Sequence, residues 1–297
     1  LSTQQRKPVP AQGTHTEETV NMLKPKFTIV ALAIALQACG GGGGSAISEA
    51  EAKAVCEPTS QSWAAPGRRS LSDTAWGWAQ VTTPVRMGTR AQRYEVRPGD
   101  CSADATWSDC QQDRERSEWV TDAQIRPASQ TAISWSVYLE PGFQDSPIVK
   151  TTLGQLHQKA WFKNGPLLQF ELWNGQYQMC IHRLTGDINN VVDKCEYWPL
   201  AKLADMQGKW TDVQFEIDTN SRTGKLKVWV NGQVKADIAS PVVTWDPDYF
   251  YFKYGIYRSF VSRHGAPMPT QVAYFDEVRI ANRVSQIDLR CPIPAVD

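Results

Sequence analysis

Along most of the chain apolar and polar residues alternate one by one, which is the period of a half-buried strand. ISWSVYLE (133–140) sets Ile133, Trp135, Val137 and Leu139 against polar neighbours, and TDVQFEID (211–218) does the same with Val213, Phe215 and Ile217. LLQFELWNGQYQMCI (167–181) and KLKVWVNGQVKADI (225–238) each break at an Asn-Gly pair, Asn174-Gly175 and Asn231-Gly232. Asn-Gly between alternating runs is the strongest short-range hairpin signal. VAYFDEVRIA (272–281) predicts one more strand. Helical periodicity is nearly absent beyond the first forty residues. Many short strands with regular turns predict an all-β sandwich or jelly roll.

Three further strand-like runs carry polar groups where a strand buries apolar ones. RERSEWV (114–120) places Arg114, Arg116 and Glu118 on one face, and GQLHQ (154–158) pairs Gln155 with His157. YFKYGIYRS (251–259) puts Tyr251, Lys253, Gly255 and Tyr257 on one face and Phe252, Tyr254, Ile256 and Arg258 on the other. Together they predict one concave sheet face lined with Arg, Glu, Gln, His, Lys and Tyr. A Gly inside a strand often marks close approach of a ligand or another backbone.

The N-terminal part reads as an export signal. Residues 1–21 are upstream sequence or a mis-called start. From Met22, Lys24 and Lys26 precede the apolar run FTIVALAIAL (27–36), too short to span a bilayer as a mature helix. The segment 22–38 resembles a bacterial lipoprotein signal, because LQAC approximates a lipobox with cleavage before Cys39 and lipid on that cysteine. Residues 39–70, with five glycines at 40–44, predict a lipid-anchored flexible linker, and 71–297 a single β domain. The protein is expected to be an outer-membrane lipoprotein, periplasmic or on the cell surface; the alternative is an ordinary secretory signal.

The 31 Lys and Arg balance 31 Asp and Glu, and residues beyond 38 hold 27 against 29. No global charge selects nucleic acid or a membrane surface. With Cys39 set aside, six of the seven cysteines remain, an even number that suits disulfides in an oxidising compartment. Short loops favour Cys101–Cys110 and Cys180–Cys195, which leaves Cys56–Cys291 to join the ends. No CxxC or Cys/His spacing predicts a metal site. A phosphate-binding glycine loop, HExxH and a nucleophile elbow are all missing from the sequence.

RSEWV, QLH and YFKYGIY, in this order, resemble three signature stretches of the jelly-roll alginate lyases, R-[ST]-E-L-R, Q-[IV]-H and Y-F-K-A-G-x-Y. With YEVRPGD (94–100) and DRERSEW added, the set resembles the polysaccharide lyase group that includes glucuronan lyases; heparin lyase I types share the Lys-x3-Tyr arrangement. The likeness covers roughly residues 80–285. Two positions depart from the alginate pattern: Val120 replaces its second Arg, and Arg258-Ser259 replaces Asn-Gln.

The resemblance implies a concanavalin A-like β-jelly-roll sandwich with a substrate groove, and β-elimination on an anionic uronic-acid polysaccharide, glucuronan favoured over alginate or a glycosaminoglycan. It implies that Arg116 and Gln155 neutralise the uronate carboxylate, that His157 donates to it or acts as base, and that Tyr257 transfers the proton at the leaving oxygen or, in a syn elimination, serves as both base and acid. Lys253 is expected to lower the Tyr257 pKa, Gly255 to leave room for the sugar, and Glu118 to orient Arg116. Tyr251, Arg114, Arg258, Arg263 and His264 are expected to bind substrate. No cofactor is expected; related enzymes leave calcium open, and no ligand cluster in the sequence calls for it. Oligomeric state is unread. Three rivals stand beside the lyase: a non-catalytic carbohydrate-binding jelly roll, a glycoside hydrolase built on Glu118 and Glu171, and a structural surface lipoprotein in which the three motifs are coincidence.

Overall fold

The computed structural model describes residues 63–71 and 74–289. The leader, Cys39, most of the 39–70 linker and the Cys56–Cys291 pair lie outside the described residues. The strands in chain order are β1 (Gly67–Ser70), β2 (Trp78–Val81), β3 (Ala91–Val96), β4 (Arg114–Thr121), β5 (Gln130–Leu139), β6 (Lys150–Lys159), β7 (Gly165–Trp173), β8 (Gln176–Asp187), β9 (Asn190–Lys202), β10 (Trp210–Asp218), β11 (Lys225–Val230), β12 (Gln233–Ile238), β13 (Tyr249–Ser259) and β14 (Gln271–Ala281). A single helical turn, Leu203–Met206, follows β9.

They form two antiparallel sheets of seven strands, ordered β1-β4-β13-β6-β7-β8-β9 and β12-β11-β10-β5-β14-β3-β2. This is the predicted β-sandwich. The inner faces meet in a core centred on Trp135, whose ring lies 4.9 Å from Phe170 and 5.1 Å from Phe252. Trp135, Phe170, Phe215 and Phe252 are fully buried and come from both sheets. Both Asn-Gly pairs are the tight turns expected: φ is +52° and +74° at Asn174-Gly175, and +49° and +76° at Asn231-Gly232.

Two edges differ from expectation. Residues 67–70 are not linker but strand β1, registered on β4 from Gly67↔Thr121 to Ser70↔Glu118. Strand β9 carries no clean alternation and holds Pro199, yet it pairs with β8 over twelve residues of that strand. It is the outer strand of its sheet, where one flank needs no partner, so charges and a proline are tolerated.

The first sheet presents the outer faces of β4, β13, β6, β7 and β8 in a row. Strand β13 is central to it, bonded to β4 on one side and β6 on the other. Its register against β6 slips between Tyr254 and Tyr257, a bulge centred on Gly255. Gly255 has φ +123°, and a Cβ there would lie 2.4 Å from Ser117 O and 2.8 Å from Glu118 Cα. The glycine is therefore required by the neighbouring backbone of β4, not by space for a sugar, which corrects the expected role. Gly255→Ala is expected to lower stability by about 3 kcal/mol, through φ strain and displacement of β4. Urea unfolding checks this; a loss under ~1 kcal/mol would show that β4 yields freely.

Candidate active site

The centre of the outer face is a buried carboxylate. Glu118, 2% exposed on β4, accepts three charged or polar donors. Lys253 Nζ on β13 lies 2.6 Å from its Oε2, Gln155 Nε2 on β6 2.6 Å from its Oε1, and Arg116 Nη1 3.1 Å from its Oε2. Three adjacent strands are thus joined through one side chain. The rest of the Arg116 fork is held by Asp109, with Nε and Nη2 each 2.5 Å from a carboxylate oxygen. Asp109 sits in the loop closed by the observed Cys101–Cys110 disulfide, and also accepts from Trp107 Nε1 at 2.8 Å. The cluster balances two cations against two carboxylates.

Two pairs flank this hub along β13. On one side Tyr251 Oη lies 2.8 Å from His157 Nδ1. On the other, Arg114 Nε donates to Tyr257 Oη at 3.0 Å, and the Arg116 guanidinium lies 4.6 Å from the Tyr257 ring centroid. Arg114 also stacks on Phe260 at 3.7 Å, as Arg263 does at 4.1 Å, so a cationic rim continues beyond Tyr257.

The titrating groups are driven in opposite directions. Burial, with the charges of Lys253 and Arg116, holds His157 well below its usual 6.5. Burial pushes the Tyr257 phenol above 10, against the pull of Arg116 and Arg114. Burial likewise lifts Tyr251 to about 12 and lowers Lys253, the latter opposed by Glu118. At neutral pH the site therefore holds a neutral imidazole and a protonated phenol.

Most of the predicted residues meet on this face, with corrections. Lys253 does not tune Tyr257: its ammonium is bound to Glu118, and the opposing charges on the phenol come from Arg116 and Arg114. Arg116 is buried and committed to Asp109 and Glu118, so it anchors the hub and is not free for a uronate. Arg258 is not a substrate residue. It is 0% exposed on the opposite face, ion-paired to Glu115 at 2.5 Å and donating to Pro269 O at 2.5 Å. Its side of the strand was legible in the alternation. His264 folds back on its own loop, Nδ1 3.0 Å from Ala266 O. Asp109 was missed; its signal was an acid beside a cysteine in a short disulfide loop.

Glu118 and Glu171 do not suit glycoside hydrolysis. They stand on β4 and β7, three strand spacings or roughly 14 Å apart, where retaining enzymes need about 5 Å and inverting ones less than about 10 Å. Each is buried in an ion pair, Glu171 with Lys150 at 2.9 Å. Among the described residues the trio with metal-ligand spacing is Cys180, His182 and Cys195. Its two cysteines are joined in the second predicted disulfide and offer no thiolate. His182 is held between Asp193 at 2.9 Å and Gln169 at 2.8 Å.

A family profile described as "Polysaccharide lyase" matches residues 57–279. The chain belongs to this polysaccharide lyase family. This lyase is similar in structure to the endo-β-1,4-glucuronan lyase of the fungus Trichoderma reesei, with a TM-score of 0.59 and 18% identity over 73% of this chain and 91% of that one. It is also similar to a family 7 alginate lyase in complex with product, with a TM-score of 0.50 and 16% identity over 71% and 85% of the two chains. At these identities the likeness is one of fold. No curated protein matches the lyase by sequence.

Asp109→Ala leaves the Arg116 guanidinium buried with only Glu118 to balance it. A buried pair broken from one side typically costs about 3–5 kcal/mol, and that loss is expected in urea unfolding. A change below ~1 kcal/mol would show that Arg116 is held by Glu118 alone.

Proposed function

We propose that this polysaccharide lyase cleaves a uronic-acid polymer of the glucuronan type by β-elimination, with His157 as base and Tyr257 as acid. The observation that carries the assignment is the placement of an imidazole and a phenol on either side of the Lys253–Glu118–Gln155 hub on one sheet face, and their opposed shifts support it. Environments that push two titratable groups apart separate a base from an acid.

The uronate lies over the Lys253–Glu118–Gln155 hub, between the two flanking pairs. The backbone opposite Tyr257, Thr152, and His157 are five residues apart on β6, roughly 16 Å of strand. A sugar ring held over the hub occupies the middle of that span. His157 Nε2, the ring nitrogen not facing Tyr251, takes the C5 proton, α to the carboxylate. The C5–H electron pair becomes the C4–C5 double bond, and the C4–O bond breaks. The Tyr257 phenol gives its proton to the leaving oxygen, so the products are a new hydroxyl end and a 4,5-unsaturated uronate. Negative charge that builds on the carboxylate during proton loss is met by the Lys253 and Gln155 protons that Glu118 does not use, and by Arg114.

Val120 supports the preference for glucuronan over alginate. It stands across from Lys253 in the ladder, so the arginine of the alginate pattern is replaced beside the hub by an apolar group. The proposed lyase works outside the cytoplasm, tethered through Cys39; two disulfides among the described residues support export.

The test is ultraviolet absorbance of unsaturated product from glucuronan, polymannuronate, polyguluronate, heparin, hyaluronan and pectate. Glucuronan is expected to respond, and Tyr257→Phe to lower the rate by roughly 10²–10⁴-fold. With neutral His157 as base, the acid limb of kcat/KM lies below 6.5, and activity holds into alkaline pH because Tyr257 stays protonated. No product from any polymer, with binding retained, would assign the groove to a carbohydrate-binding module. An acid limb at or above 6.5 would remove His157 from the base role.

A further inference from the structure

Far from Tyr257 on the same outer face, two large aromatic rings stand open to solvent. Trp173 on β7 is 36% exposed and Tyr197 on β9 is 43% exposed, although both belong to long, well-paired strands. Their ring centroids are 6.3 Å apart and their planes tilted by 39°.

Neither ring is loose. Trp173 Nε1 donates to Pro147 O at 2.8 Å. Lys150, on β6, and Tyr197, on β9, meet over the outer face, where the ammonium donates to Tyr197 Oη and lies 4.5 Å from the Tyr197 centroid and 5.4 Å from that of Trp173. Glu171, 1% exposed, holds the same ammonium at 2.9 Å. The polar handle of each ring is therefore already used, and ring face is what remains to meet a ligand. An ammonium has three protons, and Glu171 and Tyr197 account for two.

This cluster is continuous with the reaction centre. The ladder runs Arg116↔Tyr257↔Thr152↔Glu171 across β4, β13, β6 and β7. Trp173 is two residues beyond Glu171 on the same face. Counted across the strands, Trp173 is two spacings and Tyr197 four from Tyr257, roughly 10 and 19 Å; along them, Trp173 is two residues beyond the Tyr257 rung and Tyr197 is on the rung of Gln155 and Lys253.

We propose that Trp173, Tyr197 and Lys150 form a distal sugar-binding subsite, in which the rings stack on a pyranose several units from the cleaved bond and the third Lys150 proton contacts its carboxylate. The chemistry that fits is a flat, apolar sugar face bearing an anionic group at its edge. Glu171 fixes the lysine so that only one donor is presented. This inference rests on the lyase reading for the position of the cleaved bond, but not for binding itself.

The test combines calorimetry and kinetics on the full chain with a ladder of glucuronan oligosaccharides. In the Tyr257→Phe background, Trp173→Ala is expected to weaken polymer binding roughly fivefold to tenfold, the loss of one aromatic anchor. With Tyr257 intact, the ratio of kcat/KM for long over short oligomers falls by a similar factor. Trp173→Phe keeps a ring and restores most of both, which separates stacking from folding. Tyr197→Ala gives a second, independent loss. Binding and length ratio unchanged in both alanine variants would overturn the subsite while leaving the lyase intact. Binding lost in those variants, with no unsaturated product from the wild type, would keep the subsite and retire the lyase reading instead.

Discussion

The outer face of the first sheet depends on Glu118. Its carboxylate is almost entirely removed from water, a state that costs several kcal/mol unless the charge is paired and its lone pairs are used. Lys253, Gln155 and Arg116 use them, each from a known place on three neighbouring strands. Remove the carboxylate and the two cations face each other in a poorly solvated layer. The same interaction that links the strands also fixes the polar floor of the groove.

That floor explains the electrostatics of its neighbours. His157 is kept neutral by burial, helped by the Lys253 and Arg116 charges the hub gathers, and the Tyr257 phenol is kept protonated by burial despite two arginines. Site and scaffold are not separable here. Gly255 lets β13 approach β4 closely enough for Lys253 to reach Glu118, and the Cys101–Cys110 loop delivers the Asp109 that holds Arg116 from behind. Disulfide, bulge and buried carboxylate are successive supports for a few polar atoms.

The sandwich was legible because its strands alternate cleanly and its hairpins turn on Asn-Gly. Same-face polar residues in three runs located the site face, since side-chain parity survives translation into structure. Parity also placed Arg258 on the face opposite Lys253 and Tyr257, where the structure finds it, against the expectation that it binds substrate. Pairings were harder to read. Sequence period says that Lys253 and Tyr257 share a face, but a bulge between them and a carboxylate on the next strand decide that Lys253 turns to Glu118. Asp109 lies in an irregular loop, and β9 is an edge strand under weak constraint, so neither carried a periodic signal. The Trp173–Tyr197 pair comes from two strands separated by β8 and offset by four residues along it, so no sequence period links the two rings.

The most direct measurement of this account is a double-mutant cycle on Glu118 and Lys253, read by urea unfolding and by lyase rate. Glu118→Leu alone and Lys253→Met alone each strand a buried charge, and each is expected to cost about 3–5 kcal/mol. The double variant is expected to cost at least ~2 kcal/mol less than the two singles together, because no charge is left unpaired, while activity stays lost. Additive losses would contradict the account: Glu118 and Lys253 would then be neighbours without coupling, and the site would hang on something else.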